Sequence, residues 1–360
     1  MSGNSKITVL ITGGSGVLGD SLISKLADRY HLVCLVRRRS IRHDGVELVY
    51  GDIRQPRMGL SANAYVALLA RIDWVIHCAA VTRLNGHNAE IFEVNCQGTV
   101  HVLAFARDAD VPFYHVSTAF TLPCEYHTGV LPQTPYEATK RKAETLVREA
   151  GVAASIFRPS IIIGDSLDGH IPNLQGFHLS MGLVMSGFLP IIPCPESGRV
   201  DLIPRDVVAA AIASALDQRL IGDDYNLTSG AQALEFSMML DLMCAEMQQQ
   251  HKPFRRPRCL QPDVYERLVR PVFLPALDEH TRAALAMTAQ MCRYASLRQP
   301  LPSSLDELLP AARLALRNPR QEMMLNLAQL ATRLGAVRRM LNIPLESSRT
   351  SGPTLEVAQA

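Results

Sequence analysis

The stretch that decides the fold is "KITVLITGGSGVLGD", residues 6–20. An apolar strand runs directly into Gly13, Gly16 and Gly19 and then into a helix. In this setting the first glycine permits a tight turn, the second lets a pyrophosphate approach the backbone, and the third lets the helix pack close to the strand. The alternative is a tight turn without a ligand. We expect a dinucleotide site over the residues Thr12, Gly13, Gly14, Ser15, Gly16, Val17, Leu18 and Gly19.

Apolar runs rich in Val, Ile and Leu alternate with helical patterns along the first half of the chain. This alternation predicts an α/β fold, a doubly wound parallel sheet (Rossmann) with helices on both faces. "AASIFRPSIII" (153–163) reads as one strand and "DDYNLTSG" (223–230) as a later one. After residue 232 the pattern predicts helices alone.

The same patterns divide the chain into three parts. We expect an NADP-binding domain over 1–164, to which 200–230 returns as part of the sheet. A smaller substrate-binding part and a helical C-terminal region take up 165–345, and 346–360 is expected to be a disordered tail.

Composition excludes several classes of protein. A net charge of +2 is not that of a nucleic-acid-binding polycation, and 48% hydrophobic residues can form a large core. The eight cysteines are scattered without zinc spacing, which predicts free thiols and no metal site. No signal peptide or transmembrane run is evident, so we expect a cytoplasmic protein, with peripheral membrane contact left open.

The ends of the later strands predict which dinucleotide binds. The second strand ends in Arg37, Arg38 and Arg39, of which Arg37 and then Arg38 are the expected contacts. Arginine without an acidic residue favours the 2′-phosphate of NADPH, whereas the alternative is a solvated basic turn. Further contacts are expected at Asp52 and Ile53, beside the adenine, and at the small residues Cys78, Ala79 and Ala80.

"HVSTAFTLPCEYHTGVLPQTPYEATK" (115–140) predicts a proton-transfer site. Thr134, Pro135 and Glu137 form a capping box, which needs no catalytic explanation. Tyr136 and Lys140 lie four residues apart and therefore share one helix face. Lys140 is expected to lower the pKa of Tyr136 and to reach a ribose hydroxyl. The preceding strand offers the hydroxyls of Ser117 and Thr118 to a substrate carbonyl.

The motifs "TGGSGVLG", "HCAA", "VSTAF", "YEATK" and "RPSIIIGDS" together resemble an extended short-chain dehydrogenase/reductase over residues 6–230. The resemblance implies that Thr118, Tyr136 and Lys140 are catalytic, with Ser117 as a neighbour. It also implies that Asn95 supports Lys140, and that the dinucleotide contacts Asn95, Ser117, Tyr136, Lys140, Pro159, Ser160 and Ile161.

Within the superfamily, "HVSTAF", "RPSIIIGDS", "DLIPRDVVAAAI" and "YNLTSG" are most similar to the fatty acyl-CoA reductase and thioester reductase branch. The resemblance implies an NADPH-dependent reductase whose substrate is an acyl thioester on coenzyme A or on a carrier protein. The product would be an aldehyde or an alcohol.

Two other features bear on the substrate. The apolar stretch 171–195 favours a hydrophobic substrate, although ordinary core packing explains it equally well. Residues 251–345 hold 15 Lys and Arg against 7 Asp and Glu, which suits an acyl carrier protein, a phosphorylated pantetheine or an anionic membrane. A solvated helix face is the simpler interpretation of that charge.

Three alternatives to thioester reduction stay open at this point. The first is a ketone or hydroxyl oxidoreductase of the hydroxysteroid or dihydroflavonol type. The second is a sugar-nucleotide epimerase or dehydratase, which Arg37 argues against. The third is a protein that senses NADP without catalysis, against which Tyr136 and Lys140 argue.

Overall fold

The computed structural model describes residues 6–38, 41, 43–83, 88–127 and 133–342, and the predicted disordered tail lies outside them. The strands are β1 (Thr8–Thr12), β2 (His31–Val36), β3 (Val46–Tyr50), β4 (Trp74–His77), β5 (Phe113–Val116), β6 (Ala154–Pro159), β7 (Ile161–Ile163), β8 (Ile191–Ile192), β9 (Arg199–Val200), β10 (Leu202–Pro204), β11 (Asp224–Leu227), β12 (Leu234–Glu235) and β13 (Arg258–Cys259). The helices are α1 (Val17–Leu26), α2 (Ala62–Leu69), α3 (Asn88–Phe92), α4 (Gly98–Asp108), α5 (Pro135–Glu149), α6 (Gly176–Met185), α7 (Arg205–Asp217), α8 (Phe236–Gln249), α9 (Pro262–Val264), α10 (Arg270–Phe273), α11 (Glu279–Cys292), α12 (Leu305–Leu308), α13 (Ala311–Ala315), α14 (Pro319–Thr332) and α15 (Leu334–Met340).

Seven parallel strands form the central sheet, in the order β11-β6-β5-β4-β1-β2-β3. This is the predicted doubly wound fold. Because the chain moves outward in opposite directions from β1 and β4, a crevice opens at the carboxyl ends of these two strands. Ligands of such sheets bind in that crevice.

The glycine turn after β1 brings the backbones of β1 and β4 into close approach. Gly13 has a φ of +78°, and a Cβ on it would lie 2.6 Å from the amide nitrogen of Ala79. A Cβ on Gly19 would overlap the carbonyl oxygen of Gly13, so α1 can pack against the turn only because residue 19 is glycine. The first and third glycines thus have the structural roles predicted for them.

Two predicted elements differ from the structure. "AASIFRPSIII" is two strands, because the chain leaves the central sheet after Pro159 and residues 161–163 pair with β10 instead. The region after residue 232 contains the short strands β12 and β13 as well as helices. Each has two residues and pairs only with β9 or β8, so neither is long enough to produce a periodic pattern.

The C-terminal helices and α6 share one hydrophobic core. Phe177, Met181 and Val184 of α6 are buried in it, together with residues of α8, α11, α14 and α15. The apolar stretch 171–195 is therefore largely core, which was the alternative interpretation of its composition. Among the described residues, no helix combines the length and the hydropathy that crossing a membrane requires.

We expect Gly13→Ala to destabilise the fold far more than Gly45→Ala. Both glycines have positive φ, at +78° and +81°, but a Cβ on Gly45 has nothing within 4 Å. Gly45→Ala therefore costs about 1–2 kcal/mol of left-handed backbone strain, and Gly13→Ala adds a backbone clash to the same strain. Urea unfolding of both variants measures the difference. Equal free energies of unfolding would contradict the close approach.

Candidate active site

The predicted site residues lie along one edge of the sheet, because the carboxyl ends of parallel strands share that edge. They follow β1, β2, β3, β4, β5 and β6 in turn, and α5 adds Tyr136 and Lys140.

The start of α1 can accept a phosphate. Gly16 is its N-cap, and no side chain caps the helix there, so the first amide groups have no side-chain partner. A Cβ on Gly16 would contact only the carbonyl of Gly13, which leaves that side of the turn accessible. Gly14 and the side chains of Val17 and Leu18 are buried, and Ser15 is half-buried. Backbone amides are therefore the groups that this turn could offer to a phosphate.

The two arginines directly after β2 are exposed, whereas the acidic residue after β3 is hydrogen-bonded to a neighbour. Arg37 and Arg38 are exposed, whereas Arg39 lies outside the described residues. Asp52 accepts three hydrogen bonds from the guanidinium of Arg54, one at 2.6 Å and two at 3.1 Å, and these hold the pKa of Asp52 below its usual value. The charge of Arg37 lowers that pKa further. Asp52 is thus held by a neighbour, while the two arginines remain available to an anion.

Buried polar contacts join the ends of β1 and β4. The hydroxyl of Thr12 lies 2.7 Å from Nδ1 of His77, and the amide of Cys78 donates to the carbonyl of Thr12 at 3.1 Å. His77 is fully buried, and burial lowers its pKa to about 3, so the ring is neutral. Cys78, Ala79 and Ala80 are half-buried and lie beside the glycine turn.

Thr118 and Tyr136 meet across the edge of the sheet. Burial raises the pKa of Tyr136 to about 12, and this outweighs the opposite effect of the nearby Thr118 hydroxyl, which favours the phenolate. Tyr136 is therefore a protonated phenol at neutral pH and is able to donate that proton. The predicted capping box fixes this end of α5, with bonds of 3.1 and 2.8 Å between Thr134 and Glu137.

Lys140 is placed differently from the prediction. Its ammonium donates to the carbonyl of Val116 at 2.6 Å and lies 3.3 Å from Nε2 of His115. Burial lowers the pKa of Lys140 to about 8. Burial, Thr118 and Glu137 act on the pKa of Tyr136 in this arrangement, and the effect of Lys140 on that pKa stays a prediction.

Asn95 lies in a π-helical turn, Glu93–Gln97, between α3 and α4. Its carboxamide accepts from the amide of Val81 at 2.8 Å and donates to the carbonyl of Val81 and the hydroxyl of Thr139, both at 3.1 Å. The wide turn carries Asn95 toward α5, where it holds the residue next to Lys140.

The last predicted contacts follow β6. Pro159 ends the strand, and the amide of Ser160 donates to the carbonyl of Leu227 at 3.1 Å. Ser160 is buried and Ile161 is half-buried. Both belong to the path by which the chain leaves the sheet.

Glu144 was missed by the sequence reasoning. It is buried one turn beyond Lys140, and it accepts hydrogen bonds from Ser117, Thr121 and Arg158. Its spacing of four from Lys140 was a usable signal, because residues four apart share a helix face.

A family model described as male sterility protein, an NAD-binding domain, matches residues 41–212. This agrees with the branch that the sequence motifs resemble. The matched region includes Thr118, Tyr136 and Lys140.

Curated relatives match part of the chain. A glycine betaine reductase of Emericella nidulans is 28% identical over 258 residues, which cover 59% of this chain and 20% of that protein. A quinoline-oxide ketoreductase of Stigmatella aurantiaca is 35% identical over 182 residues, 46% of this chain and 53% of that protein. The chain spans a fifth or less of the length of the first curated relatives.

Among solved structures, the terminal R domain of the myxalamid PKS-NRPS biosynthetic pathway has the same fold. The TM-score is 0.74 at 22% identity, and the match covers 92% of each chain. It therefore includes the C-terminal helical region as well as the sheet.

We expect burial of Lys140 to appear in the pH dependence of stability. The folded protein releases this proton near pH 8, whereas the unfolded chain keeps it to about 10.5. Because the unfolded state binds more protons between these values, stability from this group rises with pH there, by about 3 kcal/mol. Wild type should gain this amount relative to Lys140→Met, and Lys142→Met, exposed on the same helix, should follow wild type. Urea unfolding from pH 7 to 10.5 measures it, and parallel curves for all three proteins would contradict it.

Proposed function

We propose that the chain is an oxidoreductase of the extended short-chain dehydrogenase/reductase superfamily, which uses NADPH to reduce the carbonyl of a hydrophobic acyl thioester. The observation that carries the proposal is the placement of Thr118 and Tyr136 side by side at the sheet edge that also holds the glycine turn. Proton donor and phosphate-binding turn thus face one crevice.

When bound, NADPH supplies the hydride that, with one proton, converts the thioester into an aldehyde, a free thiol and NADP⁺. Thr118 and Tyr136 hold the carbonyl oxygen, where negative charge develops as the carbon accepts hydride. Tyr136 then gives its proton to that oxygen, and Thr118 stabilises the phenolate that remains. The carbon–sulfur bond breaks when the oxygen re-forms a carbonyl, and the thiol leaves with a proton.

Lys140 contributes a cation beside this reaction. At neutral pH it is an ammonium, since its pKa is about 8. The carbonyl of Val116 holds it at the strand end that carries Ser117 and Thr118. From there the ammonium offers further N–H donors to a ribose hydroxyl.

The two exposed arginines support NADPH over NADH. A 2′-phosphate pairs with a guanidinium, whereas a 2′-hydroxyl needs a carboxylate acceptor. The nearest acid in the site, Asp52, is already held by Arg54.

The acyl thioester is supported by the relatives. The male sterility family model and the R-domain fold both agree with the fatty acyl-CoA and thioester reductase branch. We infer a carrier protein or coenzyme A as the thiol. The hydrophobic acyl group follows from the resemblance to fatty acyl-CoA reductases, because the apolar stretch 171–195 is core.

Ketone reduction is the second candidate. A ketoreductase is the relative with 35% identity, and its matched segment covers 46% of this chain. The same Thr118 and Tyr136 contacts would serve a ketone, with no carbon–sulfur bond to break.

A panel of acyl-CoA and acyl-carrier thioesters should oxidise NADPH in the presence of the protein. Tyr136→Phe, which keeps the ring and removes the proton, should lower kcat by about 10²–10⁴-fold. Cofactor absorbance and aldehyde trapping measure the reaction. Reduction of ketones without reduction of any thioester would favour the second candidate and reject the first.

Arg37→Ser with Arg38→Ser should weaken NADPH binding by about 10- to 100-fold, because the 2′-phosphate loses charge-assisted hydrogen bonds. NADH, which lacks that phosphate, is the internal control and should bind about equally to both proteins. Fluorescence titration gives both dissociation constants. Unchanged NADPH affinity would show that these arginines form only a solvated turn.

A further inference from the structure

We propose that Glu144 is a positioning residue, which clamps the turn carrying Thr118 to the helix carrying Tyr136 and sets a negative charge beside Lys140. The inference depends on the proposed function only for the identity of the compound that the site reduces. Glu144, Lys140 and Tyr136 lie on α5 at intervals of four, so one helix presents all three toward the end of β5.

The clamp consists of hydrogen bonds to the turn after β5. Oε1 of Glu144 accepts from the hydroxyl of Ser117 at 2.5 Å and from that of Thr121 at 2.8 Å. The hydroxyl of Thr121 also contacts the carbonyl of Thr118 at 2.9 Å. Thr118 is thus held from both sides at a position next to Tyr136.

Arg158 keeps the carboxylate ionised although it is 4% exposed. Its guanidinium donates to both oxygens of Glu144, at 3.0 and 2.8 Å, and to Asp224 at 2.6 Å. These contacts, with the hydroxyls, hold the pKa of Glu144 below its usual value despite burial. The clamp therefore joins α5 to β5, β6 and β11.

Glu144 is also the anion that acts on Lys140. The other titratable groups around Lys140 in the described part of the chain are neutral at pH 7. Burial lowers the pKa values of His77 and His115, and it raises those of Cys78, Cys96 and Tyr136. The remaining charges nearby, Arg148 and Arg158, are cations that pair with Glu144. Glu144 is the largest of the influences that favour the ammonium, and Cys78 and Cys96 act in the same direction.

Three variants separate the two roles. Glu144→Gln keeps the size of the side chain and removes its charge. Thr121→Val removes one hydroxyl of the clamp and leaves the charge in place. Arg148→Ala is the control, because this half-exposed arginine contacts the same carboxylate at 3.3 Å from the solvent side.

NMR measures the effect of the Glu144 charge directly, as the pH midpoint of Lys140. The chain has five lysines, so protein labelled with ¹³C at the lysine ε position gives few signals, and Lys140→Met assigns the one of interest. We expect the midpoint of Lys140 near pH 8 in wild type and about one pH unit lower in Glu144→Gln. Thr121→Val and Arg148→Ala should leave it near wild type.

The clamp is tested by measuring kcat with whichever carbonyl compound the enzyme reduces. Glu144→Gln and Thr121→Val should both lower kcat by about 10- to 100-fold, with melting temperatures confirming that they fold. Arg148→Ala should stay within about twofold of wild type. If Glu144→Gln does not fold, Thr121→Val tests the clamp alone.

An unshifted Lys140 midpoint in folded Glu144→Gln overturns the charge role, and wild-type kcat in Thr121→Val overturns the clamp. Failure of thioesters as substrates rejects the proposed function and leaves these readouts intact, because the titration needs no substrate and turnover can use a ketone.

Discussion

The close approach of Gly13 to the end of β4 is the constraint on which the site depends. The backbone at Gly13 lies so near Ala79 that a single added carbon would come within 2.6 Å of its amide nitrogen. This contact sets the width of the crevice where the strand order reverses. It also aims the start of α1, with its uncapped amides, at that crevice. The other predicted contacts with the dinucleotide follow strands of the same sheet edge, except for Asn95, Tyr136 and Lys140, which helical segments carry.

Helix α5 carries Tyr136 and Lys140, two side chains at the crevice that can hold a transferable proton. Its first turn is fixed by the capping box, and Tyr294 from the C-terminal region lies 3.4 Å from the hydroxyl of Thr134. The helical C-terminal part therefore helps to place the tyrosine, as well as closing the core around α6. Burial then separates the proton affinities of the two reactive groups: it raises the pKa of Tyr136 to about 12 and lowers that of Lys140 to about 8. Both are protonated at neutral pH, which suits reduction, since a reductase must deliver a proton.

The sequence predicted the fold and the location of the site because both depend on local patterns. Each of these patterns spans only a few residues: the glycines after a strand, the apolar runs and the Thr134–Glu137 capping box. The direction of the Lys140 side chain could not be predicted from the sequence, because the carbonyl of Val116 that holds it belongs to β5, 24 residues earlier in the chain. The spacing of four from Lys140 could have pointed to Glu144, but its partners Ser117 and Arg158 could not be predicted, because they belong to other parts of the sheet distant in sequence. The π-helical turn at Asn95 has no sequence signal that separates it from the helix around it.

The central claim is that hydride reaches a thioester carbonyl at the site of Thr118 and Tyr136. The most direct measurement is a single turnover with NADPH carrying deuterium at the transferable position and an acyl thioester substrate, followed by mass spectrometry of the product. The account predicts one deuterium on the aldehyde carbon, and a second on the same carbon if an alcohol forms. An aldehyde without deuterium, or deuterium that stays on the dinucleotide while the thioester is consumed, would contradict it.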